Sequence, residues 1–357
     1  MKEARTLSQK YEVLILGWDR EKVYSRSERI KGNILLKRCP LKAPYGSFTI
    51  LLFYPIFWVW VITNLLLLKP DAVHACDLDA LIPAKIYSIL KRTRIVYDNF
   101  DKFAMAFIPP QKRIVNGLAD WLEDVLAYKS DLLILVSSNR LSTFRWVPKN
   151  TIFVLNCPED YQYGTSRKTI NESEKHDDFV LVYAGVISDD RGLLLLEKAI
   201  TNIDEIQFLV AGRPVSNKVL NQLLLNPKVE YLGVLSPDKA IELEAKADAI
   251  PLLYDPQIPI NKVASPNKLF EAMMLRKPVI SNICTEIVSQ VKCGLIVEYD
   301  YESVEKALLM LVQSPKTQLE MGDNGRTAFE SKYNWNEMKK RLLEGYGTLE
   351  KESGGVE

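Results

Sequence analysis

Strand-like apolar runs alternate with helix-length segments along almost the whole chain, and this alternation limits the fold more than any other feature. In the first half the runs fall at 11–16, 33–36, 72–75, 94–98, 132–136 and 151–155. In the second half they fall at 179–184, 207–211, 229–232, 249–253, 278–281 and 295–297. Several, such as LLILV, FVLVYAG and IQFLVAG, are short and apolar on both faces. Central strands of a parallel sheet read this way when helices cover both sides. The pattern predicts doubly wound α/β units, and a length of 357 residues calls for two of them.

The polar stretch NCPEDYQYGTSRKTINESEKHDD, 156–178, has no apolar period and reads as a linker. The expected division is 1–165, 166–330 and a closing helical segment, 331–357, with Trp335, Met338, Leu342 and Tyr346 near one helical face. The net charge of +1 gives no general pull toward nucleic acid. Residues 1–165 carry 23 basic and 16 acidic side chains, the remainder 23 and 29. An anionic partner such as a membrane surface is therefore expected at the first half. Five cysteines without a CxxC pair, and only His74 and His176 as histidines, argue against a disulfide framework or a metal site. The start, MKEARTLSQKYEV, lacks an apolar leader, so no cleavable signal peptide is expected, and the cysteine usage suits a cytoplasmic location.

FTILLFYPIFWVWVITNLLLL, 48–68, is 21 residues without a charge, flanked by Lys42 and Lys69. Its length permits a bilayer span. Spanning would part residues 1–47 from the strands that follow. Pro55 and the cluster Phe53, Tyr54, Phe57, Trp58 and Trp60 suit a helix lying in the headgroup region. A buried core helix would show the same pattern. Peripheral membrane association through 48–68 is the expectation, with a span as the alternative.

Two corners carry the chemistry. In SPNKLFEAMM, Ser265 is expected as the N-cap and Pro266 as the first helical residue, with the helix running to about residue 275. Free N–H groups at such an end suit a phosphate, and Lys268 adds a charge in the first turn. Asn267 and Glu271 share a face, and Glu271 suits ribose or sugar hydroxyls. Alone, this is also how a well-capped surface helix reads. The second corner, YAGVISDDRG, places Gly185 at a strand end and Arg191 just before a helix. Open α/β sheets bind ligands at such strand ends. Together, Arg191 and Lys268 fit a diphosphate clamp.

The order of YAGVISDDRG, FLVAG, VEYLGVLSPDKAIELEAKADAIPLLYDP, SPNKLFEAMMLRKPVIS and KYNWNEMKKRLLEGY resembles family 4 glycosyltransferases of the GT-B fold. In the first half, KEARTLSQKYEVLILGWDRE, KPDAVHACDLDALIPA and RIVYDNFD are similar too. The resemblance implies two Rossmann-like domains facing across a cleft, the nucleotide sugar on the second and the acceptor on the first. It also implies retaining transfer with neither metal nor cofactor. Arg191 and Lys268 then neutralise the donor diphosphate, and Glu271 is the second carboxylate of the Glu-x7-Glu motif.

The chain departs from that pattern in three places. Val263 occupies the first carboxylate's position, and Cys76 stands in DAVHACD where a His is usual, two residues after His74. The first strand of the N-terminal domain is missing. The ordinary α/β pattern that follows favours a start assigned too far downstream over a chain truly shortened. His74, Asp98 and Asp101 are the candidates for the acceptor side, although Asp98 and Asp101 also suit helix caps. The expected reaction moves a sugar from a UDP- or GDP-linked donor to a lipid-linked or glycan acceptor. An epimerase of the same fold and a noncatalytic membrane-associated partner are the rivals.

Overall fold

The computed structural model describes residues 1–30, 33–44, 48–108, 111–160 and 178–351. Most of the expected linker, 161–177, lies outside the described residues. The chain divides into two compact units, Met1–Leu155 with Met338–Glu357, and Asn156–Glu337. Every run read as a strand overlaps one.

The first unit holds α1 (Lys2–Leu7), β1 (Val13–Trp18), β2 (Ser27–Ile30), β3 (Ile34–Cys39), α2 (Tyr54–Leu68), β4 (Ala72–Cys76), α3 (Asp77–Lys91), β5 (Arg94–Asn99), α4 (Phe103–Phe107), α5 (Arg113–Tyr128), β6 (Leu132–Leu135) and β7 (Thr151–Phe153). One sheet has the order β1-β3-β2, with β2 antiparallel at its edge. The other, β4-β5-β6-β7, is parallel throughout. Among the described residues no strand joins β1 to β4, each of which pairs on one side only. Ala75, Ile95, Tyr97, Leu133 and Leu135 pack into one core with Leu78, Leu81 and Ala127. Strand alternation turns His74 and Leu132 to the opposite face. There they meet the end of the chain through Tyr346 and Gly345.

The segment 48–68 overturns the alternative of a span. A 3-10 turn, Phe48–Leu52, precedes α2, which has 15 residues. At 1.5 Å per residue that is about 22 Å, short of the roughly 30 Å of a bilayer core. No helix among the described residues is long and apolar enough to cross a membrane. Tyr54, Phe57, Val61 and Leu65 form a buried stripe against Cys39 and Tyr87, with Phe57 stacked on Trp18 at 4.7 Å. The other face leaves Leu52, Ile56, Val59 and Leu67 exposed.

The second unit holds β8 (Phe179–Ala184), α6 (Leu193–Ile200), β9 (Ile206–Ala211), α7 (Asn217–Leu223), β10 (Val229–Tyr231), α8 (Pro237–Ala245), β11 (Ile250–Leu252), α9 (Pro259–Lys262), α10 (Asn267–Met274), β12 (Val279–Ser281), α11 (Thr285–Val291), β13 (Gly294–Ile296), α12 (Tyr301–Gln313) and α13 (Pro315–Ser331). The last helix, α14 (Trp335–Lys351), continues into the first unit. Two parallel ladders, β10-β9-β8 and β11-β12-β13, are joined by a bridge between Leu181 and Ala249. The strand order is therefore β10-β9-β8-β11-β12-β13. It reverses between β8 and β11, the switch point of a Rossmann-type sheet. Phe179, Leu181, Phe208 and Val210 lie in the core beneath α6, α7 and α12.

Close approach at that end of the sheet requires glycine. Gly212, with φ +139°, would place a Cβ 1.7 Å from the Gly185 carbonyl oxygen. Gly192, with φ +61°, would place one 2.5 Å from the Leu253 Cβ. Gly117, inside α5, has open space around it. Gly212→Ala is expected to lower unfolding free energy by about 1–3 kcal/mol or more, whereas Gly117→Ala should raise it by roughly 1 kcal/mol. Chemical denaturation of the two variants checks both signs.

Candidate active site

Three chain segments converge where β8, β11 and the head of α10 meet. After β8 the backbone stays tied to β9's extension: Gly185 N–H donates to the Ala211 carbonyl at 2.9 Å and Ile187 N–H to that of Arg213 at 3.0 Å. A 3-10 turn, Asp189–Arg191, then leads through left-handed Gly192 into α6. The turn is held from β11's side. Asp255 N–H donates to the Asp190 carbonyl at 2.9 Å, and the Ser188 hydroxyl donates to the Asp190 carboxylate. The guanidinium of Arg191 lies 4.1 Å over the Tyr254 ring and 3.5 Å from the Asp190 carboxylate. Stacking on an aromatic face orients the guanidinium while leaving edge N–H groups for an anion.

Tyr254 is fixed in turn. Its N–H donates to Asn282 Oδ1 at 2.8 Å, and Asn282 Nδ2 returns a bond to its carbonyl at 2.8 Å. Burial raises the Tyr254 phenol's pKa, and Arg191 and Lys268 both oppose that rise. The two predicted cations thus both act electrostatically on the phenol that follows β11.

The head of α10 differs by one residue from the expected cap. Pro266 is the N-cap and the helix starts at Asn267. Pro266 has an extended ψ of 137°, and no side chain caps the turn. Ser265, expected as the cap, instead keeps a buried Oγ without a hydrogen-bond partner. Asn267 is exposed. Lys268 is held between two carboxylates, Glu244 Oε1 at 2.5 Å and Glu271 Oε2 at 2.7 Å. Glu244, on α8, is fully buried. Burial pushes its pKa up to about 8 against the pull of Lys268. Burial lowers the Lys268 ammonium's pKa, but the two carboxylates overcome this and raise it.

Glu244, Tyr254 and Gly212 were not among the residues singled out from the sequence. Glu244 had a signal: it falls three residues after buried Ile241 on the inward face of α8. Tyr254 and Gly212 had none beyond their places at strand ends.

The acceptor-side candidates separate. His74 and Asp98 come together, with Nε2 3.2 Å from Asp98 Oδ2. Glu3 of α1 joins them, Oε2 lying 3.5 Å from the same Nε2. His74 Nδ1 meets the Tyr346 hydroxyl at 2.7 Å. Burial, with Asp98 adding to it, pushes the Glu3 carboxyl up to about 7. Asp101 does not join the group; it pairs with Arg140 at 2.8 Å.

Residues 178–314 match the family model of group 1 glycosyl transferases. No curated protein matches the sequence. Sucrose-phosphate synthase from Thermosynechococcus elongatus superposes with a TM-score of 0.81 at 14% identity, over 98% of this chain and 92% of that one. HepE of Anabaena, solved with UDP, gives 0.72 at 15% identity over 95% and 100%. WaaG, a glycosyltransferase involved in lipopolysaccharide biosynthesis, gives 0.67 at 15% over 96% and 93%. The chain has the GT-B fold of two Rossmann-like domains, and its second half is glycosyltransferase-like.

A group whose folded pKa is raised loses stabilisation as pH climbs from its unfolded value. For Glu244 the window runs from the ordinary carboxyl value of 4.5 to about 8. The unfolding free energy of the wild type should fall across that window, and Glu244→Gln should flatten the fall. Urea melts at a series of pH values check this.

Proposed function

We propose that the chain transfers a sugar, with retention of configuration, from a UDP- or GDP-linked donor to a lipid-linked or glycan acceptor. The observation that supports the reading is the placing of Arg191 over Tyr254 after β11, and of Lys268 in the first turn of α10, both beside the sheet's switch point. A leaving nucleoside diphosphate gains negative charge, and fixed cations with free helix N–H groups stabilise it in the transition state. Arg191, Lys268, the Asn267 and Lys268 amides and the Ser265 hydroxyl supply that environment. Gly185 lets the strand end pack beside the Tyr183 ring, where a Cβ would lie 3.1 Å from its hydroxyl, and Glu271 takes the ribose hydroxyls. These groups carry the donor's charge without a metal. The UDP in HepE and the UDP-glucose in another structure of the same protein support a nucleotide-sugar donor.

The exposed apolar face of α2 supports contact with a membrane surface, where a lipid-linked acceptor would be found. Ile56→Asp together with Val59→Asp should abolish flotation with anionic vesicles while leaving the melting temperature close to wild type. Equal flotation would remove the membrane from this reading.

A thermal-shift comparison of UDP and GDP tests the donor site, since a ligand of the folded state raises stability by mass action. One of them is expected to raise the melting temperature, and Arg191→Ala should remove the shift. With the matching sugar nucleotide, Lys268→Ala should cut turnover about 10²–10³-fold. Epimer formed from the donor alone would favour the epimerase. No shift with either nucleotide would favour a noncatalytic partner.

A further inference from the structure

We infer that Glu3, His74, Cys76 and Asp98 bind one divalent transition-metal ion, zinc by the chemistry of the donors. His74 and Cys76 lie two apart on β4 and so share a face of the sheet. The β4–β5 register sets Asp98 directly opposite Cys76. One ligand atom from each of His74, Cys76 and Asp98 falls within 4.8 Å of the others. Glu3 of α1 brings a fourth, 3.5 Å from His74 Nε2. Zinc takes four ligands from Cys, His and carboxylate, at about 2.0–2.3 Å. A tetrahedron of that size separates its corners by roughly 3.3–3.8 Å, so small side-chain movements close the site. Imidazole and thiolate disfavour magnesium and calcium, which prefer oxygen.

Two further observations point to an ion rather than to a plain ion pair. First, Nε2 of His74 carries at most one hydrogen, yet carboxylates from Glu3 and Asp98 both approach it, at 3.5 and 3.2 Å. One N–H cannot serve both well, and Asp98 Oδ1 has no hydrogen-bond partner although Asp98 is only 1% exposed. Second, the Tyr346 hydroxyl sits 2.7 Å from Nδ1. A hydroxyl there can accept the Nδ1 proton and so leave Nε2 free to ligate, the arrangement metal-bound histidines commonly show. Cys76 is exposed and gives an ion a way in. The ion would tie α1 to the edge of the β4–β5 pair.

The test uses the full chain with cobalt(II) as a spectroscopic replacement for zinc. One equivalent per chain should bind, with the intense visible bands of a tetrahedral ion and a thiolate-to-cobalt charge-transfer band. Cys76→Ser should lose the charge-transfer band, and His74→Ala should weaken binding at least tenfold. Tyr346→Phe keeps every ligand and should weaken binding about tenfold, which holds the test open if a ligand variant does not fold. Less than one equivalent in the wild type, a charge-transfer band that survives Cys76→Ser, or unchanged affinity in Tyr346→Phe overturns the site. Nucleotide binding is read on the same samples as a separate melting shift, so the metal site and the donor site stand or fall independently.

Discussion

A carboxylate as deeply buried as Glu244 must either take up a proton or find a cation, because an unpaired buried charge is too costly to keep. Lys268 answers that need from the first turn of α10, with Glu271 on its other side. The pair joins α8 to α10 and holds the ammonium at the head of the helix. It also holds Lys268 away from any other anion. A diphosphate arriving there competes with Glu244 for the same ammonium. The competition is eased because burial raises the Glu244 pKa, so that a proton can take the place of Lys268 there. Protonation of Glu244 frees Lys268 without leaving a bare charge behind. The helix head is thus both a structural joint and a reserve of positive charge.

Arg191 is prepared differently. Among the described residues its ion pair is with Asp190, which is partly exposed and also accepts from Ser188. Its orientation comes from the Tyr254 ring, which is itself locked by two reciprocal bonds with Asn282. The chain β12–Asn282–Tyr254–Arg191 carries the order of the sheet out to a flexible side chain. Gly192 and Gly212 let the backbones of neighbouring loops come close enough for this to happen.

Much of this could be read from the sequence because strands buried on both faces have a strong signal. The runs at 179–184 and 132–136 are apolar throughout, and they lie in the interior of their sheets. β2 escaped notice for the opposite reason: Ser27–Ile30 is an exposed antiparallel edge with one apolar residue. The head of α10 was legible to within one residue, because proline fits both the cap and the first turn. The segment 48–68 was legible as apolar but not as to what it meets. Composition cannot tell a face packed on Trp18 and Tyr87 from one turned outward, and α2 has both. Glu244 and Tyr254 act through partners on other elements, which no local pattern records.

His74 shows where reading a chain residue by residue stops being informative. A lone histidine on a strand is most often a satisfied structural residue, and two histidines in a long chain argue against a metal. Both arguments treat the residue with its neighbours in sequence. The fold supplies different neighbours: Asp98 by the parallel register of β5, Glu3 by a helix 71 positions upstream, and Tyr346 from the last helix. Each alone is an ordinary polar contact. Together with Cys76 they bring two carboxylates, a thiol and an imidazole onto the same spot. Charge of one sign concentrated around a carboxylate as buried as Asp98 needs a counter-charge. A histidine proton can neutralise only one of those acids, and a divalent cation can neutralise both.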